Sequence, residues 1–455
     1  MSAAPVAAPL LSLDEVVDRI GFGRFQKRLL LVCGMTWAAD AGELLAIGFA
    51  LPGVREEFGL STGQAGTVAA AAFLGMLLGA AFWGTVADRI GRRRGFALTV
   101  LIFSVFGLLS ALAPNAETLA AARLLAGFGL GGALPLDFSL FAEVLPRRDR
   151  GRWLVVLESF WAVGTVVVAG LAFLIVPALG WRPLLACSAL AALLVLWIRL
   201  RVPESPRYLL AAGRTEEARA VLARMARENG VALPEGELAP APATRERAGL
   251  GSLWSPAARR STLMLWLAWF AIGLAYYGLF VYLPTIFVDR GFSVVRSYGY
   301  AFLLALAQVP GYLSAAWLVE RRGRRPTLVG YLVGSGLATL LFAVAESAAV
   351  IVLAACVMSF FALGAWAALY AYTPELYPTR LRATGMGWAS ATTRIAATLV
   401  TLFGATVLAG SEAAALMLFG GAFLVAAAVV GLLGRETRGR PLLDALPGGE
   451  AAARA

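Results

Sequence analysis

The chain has 455 residues, of which 60% are hydrophobic and only 15% charged, and its mean hydropathy is +0.76. A water-soluble protein of this length carries far more charge, so the composition excludes a soluble globular domain and points to a chain that crosses a membrane many times. The net charge of +11 would suit a nucleic-acid partner, but the arginines gather in short loops between apolar runs, which is the positive-inside pattern and not a binding face.

In chain order, residues 1–28 form an N-terminal segment whose first dozen residues are apolar and uncharged, without the pattern of a cleavable signal peptide. Ser12 and Glu15 have capping-box spacing, which predicts a short surface helix. Apolar runs then recur at about 29–51, 64–86, 95–113, 118–145, 153–177 and 183–200, predicting a six-helix bundle over 29–202. The stretch 203–260 is polar and reads as a linker. Thr215 is placed to cap an amphipathic helix that stops at Asn229-Gly230, and "LPEGELAPAPAT" reads as flexible. Runs resume at about 262–288, 298–319, 327–345, 348–373, 384–409 and 413–433, a second bundle over 261–434, followed by a tail over 435–455. The expected fold is an all-α membrane protein of about twelve spans.

Arginine-rich loops follow the second, fourth, eighth and tenth spans ("DRIGRRR", "PRRDRGR", "ERRGRR", "PTRLR"). Their alternation predicts that both termini are cytoplasmic. The halves also repeat. Asp88 and Glu320, Glu143 and Glu375, Pro52 and Pro284, and Glu204 and Glu436 each stand 232 positions apart. Four landmarks in one register indicate two six-helix halves in parallel repeat, an arrangement that places a substrate site between them near the bilayer midplane.

"GTVADRIGRR" at 84–93 and "RLLAGFGLGG" at 123–132 resemble signatures of the major facilitator superfamily. "IGFGRFQKRLL", "ADAGE", "LESFWAVGT", "GWRPLL" and "PESPRYLL" are similar to the synaptic-vesicle-2-related branch and its bacterial relatives, the niacin and aromatic-acid proton symporters. The resemblance implies a transporter that works by alternating access. The absence of an N-x-S/T site and the short loops facing outward favour a bacterial member, in the inner membrane.

Charges in the middle of spans mark the helices that line a cavity, because a charge in lipid is costly. They are Asp40 and Glu43 in the first span, Arg123 and Asp137 in the fourth, Glu158 in the fifth and Arg394 in the eleventh. The third, sixth, ninth and twelfth spans have none and are expected at the periphery. At ~1.5 Å per residue, Asp40 lies about 18 Å and Arg394 about 16 Å from the basic ends of their helices, both near the midplane. The resemblance implies that Asp40 pairs with Arg123 and releases it on protonation, and that Arg394 contacts a substrate carboxylate. Static ion pairs between helices would place the same residues there. Glu43 shares the face of Asp40 and of Trp37 and is expected to hold a second coupling proton or orient the first. Asp137 and Glu158 would either extend the proton path or hold helices together.

Trp161, Trp269, Tyr276, Tyr277, Trp366 and Tyr370 fall on the fifth, seventh and tenth spans, where they would form an aromatic cleft for a flat ring or simply pack. Gln308, at the middle of the eighth span, could donate to the substrate or bond a neighbouring helix. Asp88, Arg89, Arg92, Glu143 and Arg150, with Glu320, Arg321, Arg324, Glu375 and Arg382 in the second half, are expected to pair across the halves as a gate that closes the cytoplasmic face in the outward-open state.

The sequence thus reads as a carrier, not an enzyme, taking up a small aromatic or heterocyclic carboxylate such as nicotinate. Protons are the coupling ion, and neither a cofactor nor a metal is expected. Its partners would be that substrate and the lipid bilayer, with no nucleic acid and no second subunit. Four acids against two arginines leave an excess of negative charge, so transport of an organic cation is the alternative, and a non-transporting receptor on a carrier scaffold is a third reading.

Overall fold

The computed structural model describes residues 10–240 and 250–438 apart from positions 149, 257 and 378; a few further side chains, including those of Asp88 and Arg382, lie outside that description. The first half contains spans Arg24–Phe58, Thr62–Ile90, Arg92–Ala111, Ala116–Glu143 and Arg150–Leu179. Its sixth span is broken: Trp181–Ala186, a tight turn at Cys187–Ala191, then Ala192–Arg201. The second half runs through Arg259–Phe280, Val294–Arg322, Arg324–Val344, Ala348–Tyr372, Thr379–Gly410 and Glu412–Leu433. Among the described residues eleven helices are long and apolar enough to cross a bilayer. The remaining span, Thr379–Gly410, has 32 residues and carries Arg394 among serines and threonines.

The duplicated prolines act differently. Pro52 sits inside the continuous first span. Pro284 opens a separate short helix, Leu283–Asp289, after the seventh span stops at Phe280, where a proline's missing N–H costs nothing.

Glycines set the packing of the second span on the fourth. A Cβ on Gly75 would lie 2.0 Å from the Leu124 carbonyl oxygen, and one on Gly127 2.0 Å from that of Ala72. Only glycine permits this approach, so the glycines of "RLLAGFGLGG" serve helix contact. The repeat holds here as well. A Cβ on Gly79 would lie 2.1 Å from the Phe128 carbonyl oxygen, and one on Gly311, 232 positions on, 2.1 Å from that of Phe360.

Helix starts differ between the two faces of the molecule. Away from the arginine-rich loops, Ser61, Asn115, Ser293, Ser347 and Ser411 accept from the first turns of their helices. On the basic face the third and ninth spans begin at arginines after Gly91 and Gly323, both with positive φ. There the carboxylates of Glu204 and Glu436 supply the cap. Glu204 accepts from the Arg93 N–H at 3.0 Å and Glu436 from the Arg324 N–H at 3.0 Å. The "PES" and "RET" pair therefore fastens the end of each bundle onto the start of its third helix.

The N-terminal helix, Leu13–Ile20, has the expected capping box on Ser12 and Glu15. It docks on the basic end of the first half through Asp14, which pairs with Arg207 at 2.6 Å and Arg150 at 3.2 Å, and Asp18, which pairs with Arg147 at 3.0 Å. Helix Thr215–Asn229 has Arg214 at its N-cap position, with no side-chain cap bond, so Thr215 is its first residue and not its cap; it ends on Gly230 with φ 74°. Asn229 accepts from the Phe25 N–H at 3.0 Å and so caps the first span. Part of the stretch read as flexible is paired: Glu237–Leu238 lie parallel to Leu10–Leu11. The rest of it, from residue 241, lies outside the described residues.

The halves meet where the eleventh span packs on the second and the eighth on the fifth. Away from the basic face the boundary is tight. The Tyr298 hydroxyl donates to the Phe49 carbonyl at 2.6 Å, and Gly48 lies against the Val281 backbone.

Candidate functional site

The first span presents Cys33, Trp37 and Asp40 along one stripe, and all three are buried. Asp40 is fully buried, and neither carboxylate oxygen has a hydrogen-bond partner. Arg394 of the opposite half is the cation whose field reaches it. The Arg394 side chain is held back along its own helix, donating through Nη1 to the Ser390 hydroxyl at 2.6 Å and the Ser390 carbonyl at 3.1 Å, while its Nε is buried without a partner. A buried carboxylate and a guanidinium from the two halves thus lie within electrostatic reach of one another, with no direct ion pair between them among the described residues.

The expected pair between Asp40 and Arg123 is not formed. Arg123 is fully buried and bonds Glu43 twice: Nη1 to the carboxylate, and Nη2 to the Glu43 carbonyl at 2.9 Å. Sixty degrees of helical rotation separates Asp40 from Glu43, enough to send one carboxylate towards the centre and the other towards the fourth span. Gly107 of the third span makes room for Glu43, since a Cβ there would lie 2.8 Å from its carboxylate oxygen. Glu43 and Arg123 therefore form a closed pair inside the first half.

Asp137 and Glu158 join Asp40. Asp137 lies against the Cys33 thiol, with neither oxygen in an aligned hydrogen bond. Glu158 lies beside the Tyr312 hydroxyl of the eighth span, and both its Oε2 and that hydroxyl are buried without an aligned partner. Tyr312 was missed from sequence. It stands one helical turn beyond Gln308, and that spacing was the available signal.

The aromatic residues do gather. Trp37 packs on Trp161 at 5.1 Å and on Phe138 at 5.8 Å. Trp269 meets Tyr370 at 4.9 Å and Trp366 at 5.5 Å, and Tyr276 meets Tyr277 at 5.2 Å and Trp366 at 5.9 Å. Phe138 faces Tyr370 across the halves at 6.4 Å, and the Trp161 indole donates to the Tyr276 hydroxyl at 3.2 Å. Gln308, with its Oε1 unpartnered, borders a cavity of about 20 Å³ at the boundary of the halves, together with Thr165 and Phe49. A larger hollow of about 280 Å³, lined by Pro52, Arg55 and Asp289, lies at the opposite mouth and shares no residue with this cluster.

On the basic face, the charges among the described residues pair within each half in this structure, whose tight boundary lies on the opposite face. Arg92 bonds Glu143, which also accepts from the Ser205 hydroxyl. In the second half Arg324 bonds Glu375 at 3.1 Å and Glu320 at 3.2 Å, and the Thr437 hydroxyl donates to Glu375 at 2.6 Å. Each acid is thus engaged inside its own bundle. Arg150 is taken by Asp14, Arg321 stacks over Trp317 at 4.5 Å, and Arg89 is exposed. The Asp88 and Arg382 side chains lie outside the described residues.

Two six-helix halves enclosing a buried, partly unpaired charge cluster and an aromatic cleft define a multi-pass membrane carrier of the major facilitator fold. The chain matches the sugar (and other) transporter family over residues 28–445 and belongs to it. It is 40% identical to the niacin transporter NiaP of Acinetobacter baylyi over 95% of this chain and 99% of that protein, and 34% identical to the synaptic vesicle 2-related protein of Xenopus laevis over 95% and 82%. Among solved structures, the xylose transporter XylE of E. coli in a partially occluded inward-open conformation superposes with a TM-score of 0.77 at 19% identity, covering 92% of this chain and 100% of that one. The protein is accordingly a transporter of small molecules and not an enzyme.

Proposed function

We propose that the protein is a proton-coupled uptake carrier for a small aromatic or heterocyclic monocarboxylate, with nicotinate the first candidate. The observation that carries this reading is that Asp40 and Arg394, from opposite halves, lie within electrostatic reach of one another, each with unpartnered buried polar atoms. While Asp40 is ionised, it competes for the guanidinium. A proton on Asp40 frees Arg394, whose planar fork matches a carboxylate. Charge balance then couples one proton to each monoanion. Release towards the basic face, taken as the cytoplasm of a bacterial cell, lets Asp40 deprotonate and reset. The Glu43–Arg123 pair stays closed throughout and holds the first and fourth spans as one body. The niacin transporter relative supports the substrate class.

The test is a titration of nicotinate and of uncharged nicotinamide on wild type, Arg394→Lys and Arg394→Ala. Wild type should prefer nicotinate, the lysine variant should keep part of that preference, and the alanine variant should lose it. Truncating one partner of a buried charge pair typically costs ~2–5 kcal/mol. An alanine variant that still prefers nicotinate sinks the assignment of Arg394.

A further inference from the structure

Three tryptophans gather at the basic end of the second half, after a short helix at Leu250–Leu253, and the carrier cycle uses none of them. Trp254 meets Trp266 of the seventh span edge-on at 5.3 Å, and Trp266 stacks on Trp388 of the eleventh at 6.0 Å. Two bonds fix their frame. The Thr262 hydroxyl donates to the Leu253 carbonyl at 2.9 Å, and the Thr392 hydroxyl to the Trp266 carbonyl at 3.3 Å. Trp254 and Trp388 are nevertheless 44% and 43% exposed. The 232-residue repeat breaks here, since the three correspond to Phe22, Gly34 and Val156. In the first half protein fills the equivalent space: Trp153 stacks on Phe22 at 3.9 Å, the Phe160 ring packs on Gly34, and the Asn229 side chain packs on Gly23.

This corner looks out of the bundle. Leu263 and Leu267 lie on the side of the seventh span turned away from Trp269, and Ile395 and Leu399 continue the Trp388 stripe of the eleventh, away from Arg394; all four are exposed. They make an apolar strip that runs from the basic end towards the bilayer midplane. Its head is charged. Arg259 stands one turn before Leu263 on the same stripe, exposed, with no acidic partner among the described residues. The Arg259 N–H donates to the Ser255 carbonyl at 2.8 Å, which sets Trp254 and Ser255 one turn from that guanidinium. Trp266 lies on the Arg259 face two turns further in, and its side chain leans back towards the helix start. Beneath the rings, the Trp266 indole N–H and the Ser255 hydroxyl are buried without a partner. Polar atoms left so on a lipid-facing surface are costly unless a ligand satisfies them.

We propose that this corner binds one anionic phospholipid from the leaflet on the basic face. Its phosphate sits on Arg259. Its glycerol esters lie between Trp254 and Trp388, where displacing the exposed Trp254 ring brings them to the Trp266 N–H and the Ser255 hydroxyl. An acyl chain follows the strip from Leu263 and Ile395 inwards. Phosphatidylglycerol suits the site better than phosphatidylcholine, because a choline headgroup sets a second cation beside Arg259. The eleventh span packs on the second across the boundary of the halves, so a lipid held here braces one side of that boundary. The inference is independent of the transported substrate.

The test releases the purified full-length protein from mixed micelles that hold equal amounts of phosphatidylglycerol and phosphatidylcholine, and counts retained lipid by native mass spectrometry. Wild type should keep one phosphatidylglycerol, about five-fold or more over phosphatidylcholine, since one arginine at an anionic surface is worth about five-fold. Arg259→Gln should bring that ratio close to one. Trp266→Phe keeps a ring but loses the donor, and should lower retention of phosphatidylglycerol two-fold or more. Arg152→Gln is the control. Arg152 is exposed on the basic end of the first half, 5.6 Å over Trp153, and its loss should leave retention unchanged. Equal retention of the two lipids by wild type overturns the proposal. So does an equal loss in Arg152→Gln and Arg259→Gln, which would show attraction by net charge and not by a site. A wild-type dimer that Arg259→Gln dissolves would make this face an interface between copies and overturn the lipid site. The wild-type comparison needs no variant, and Arg259 is an exposed side chain whose replacement removes no buried contact.

Discussion

Glu43→Gln should destabilise the protein, and Asp40→Asn should not, although the two acids sit three residues apart on one helix. Arg123 is fully buried, its Nε has no partner, and its charge is balanced by the Glu43 carboxylate. Removing one member of a buried pair costs ~3–5 kcal/mol, because the other charge stays buried. The glutamine keeps an oxygen for Nη1, and the bond from Nη2 to the Glu43 carbonyl at 2.9 Å survives, so the lower end, about 3 kcal/mol, applies. With an unfolding entropy of about 2 cal/mol/K per residue, that lowers Tm by about 3 °C if the whole chain melts together and by about 8 °C if the first half melts alone. Asp40 has no hydrogen-bond partner to lose, so Asp40→Asn should leave Tm within about 1 °C of wild type or raise it. The assay is thermal unfolding in detergent, followed by tryptophan fluorescence, with Glu43→Gln, Arg123→Gln and the double variant closing a cycle. A coupling energy below about 1 kcal/mol, or a larger loss for Asp40→Asn than for Glu43→Gln, would refute the assignment of Arg123 to Glu43.

In proteoliposomes, Asp40→Asn should abolish accumulation driven by a pH gradient while sparing exchange of preloaded substrate, since exchange moves no net proton; wild-type accumulation would remove Asp40 from the coupling path. Glu143→Gln and Glu375→Gln each weaken a charge-assisted knot worth ~1.5–3 kcal/mol per bond. Each should make the basic end of its own half more open to cysteine labelling, and labelling that rises only in the opposite half would restore pairing across the halves. Burial opposes ionisation of Asp14, but the Arg207 and Arg150 guanidinia outweigh it and hold this acid below its usual 3.8. A depressed carboxylate stabilises docking above the unfolded value and loses that contribution as pH falls through its folded value, so the N-terminal helix should release only below about pH 4. Asp14→Asn should release it at pH 7, read by fluorescence of a label at Ser12; equal release from wild type at pH 7 would show that Asp14 does not anchor it.

Hydropathy reports which segments are apolar over ~20 residues, and that suffices for the spans and their order. The repeat was equally legible, because landmarks at a fixed offset survive in the chain itself. Pairing between charges was not. Asp40 and Glu43 look equivalent on a helical wheel, and only the gap at Gly107 and the position of Arg123 send them to different partners. The pairing of the basic-face charges inside each half was hidden for a similar reason. Sequence shows that Glu143 and Arg92 share the basic face, but whether an arginine reaches within its half or across depends on where Ser205 returns after the sixth span. Tyr312 escaped notice because a tyrosine in an apolar run usually packs, and its meaning comes from Glu158 of the other half.

The 232-residue register divides the two kinds of residue. The scaffold obeys it: Gly79 and Gly311, Glu204 and Glu436, Ser205 and Thr437, and the pairs Arg92–Glu143 and Arg324–Glu375 all repeat. The charges inside the bilayer break it. Asp40, Glu43, Arg123 and Asp137 map onto Ile272, Ala275, Ala355 and Leu369; Arg394 maps back onto Ala162, and Glu158 maps onto Ser390. A duplicated fold would place equal charges on both walls of the cavity, where like charges repel and an asymmetric ligand has no preferred orientation. With the acids in the first half and Arg394 in the second, the interior has a negative wall and a positive pole. Under the proposed function that polarity would orient a small ring by its charges, with the symmetric scaffold rocking about it.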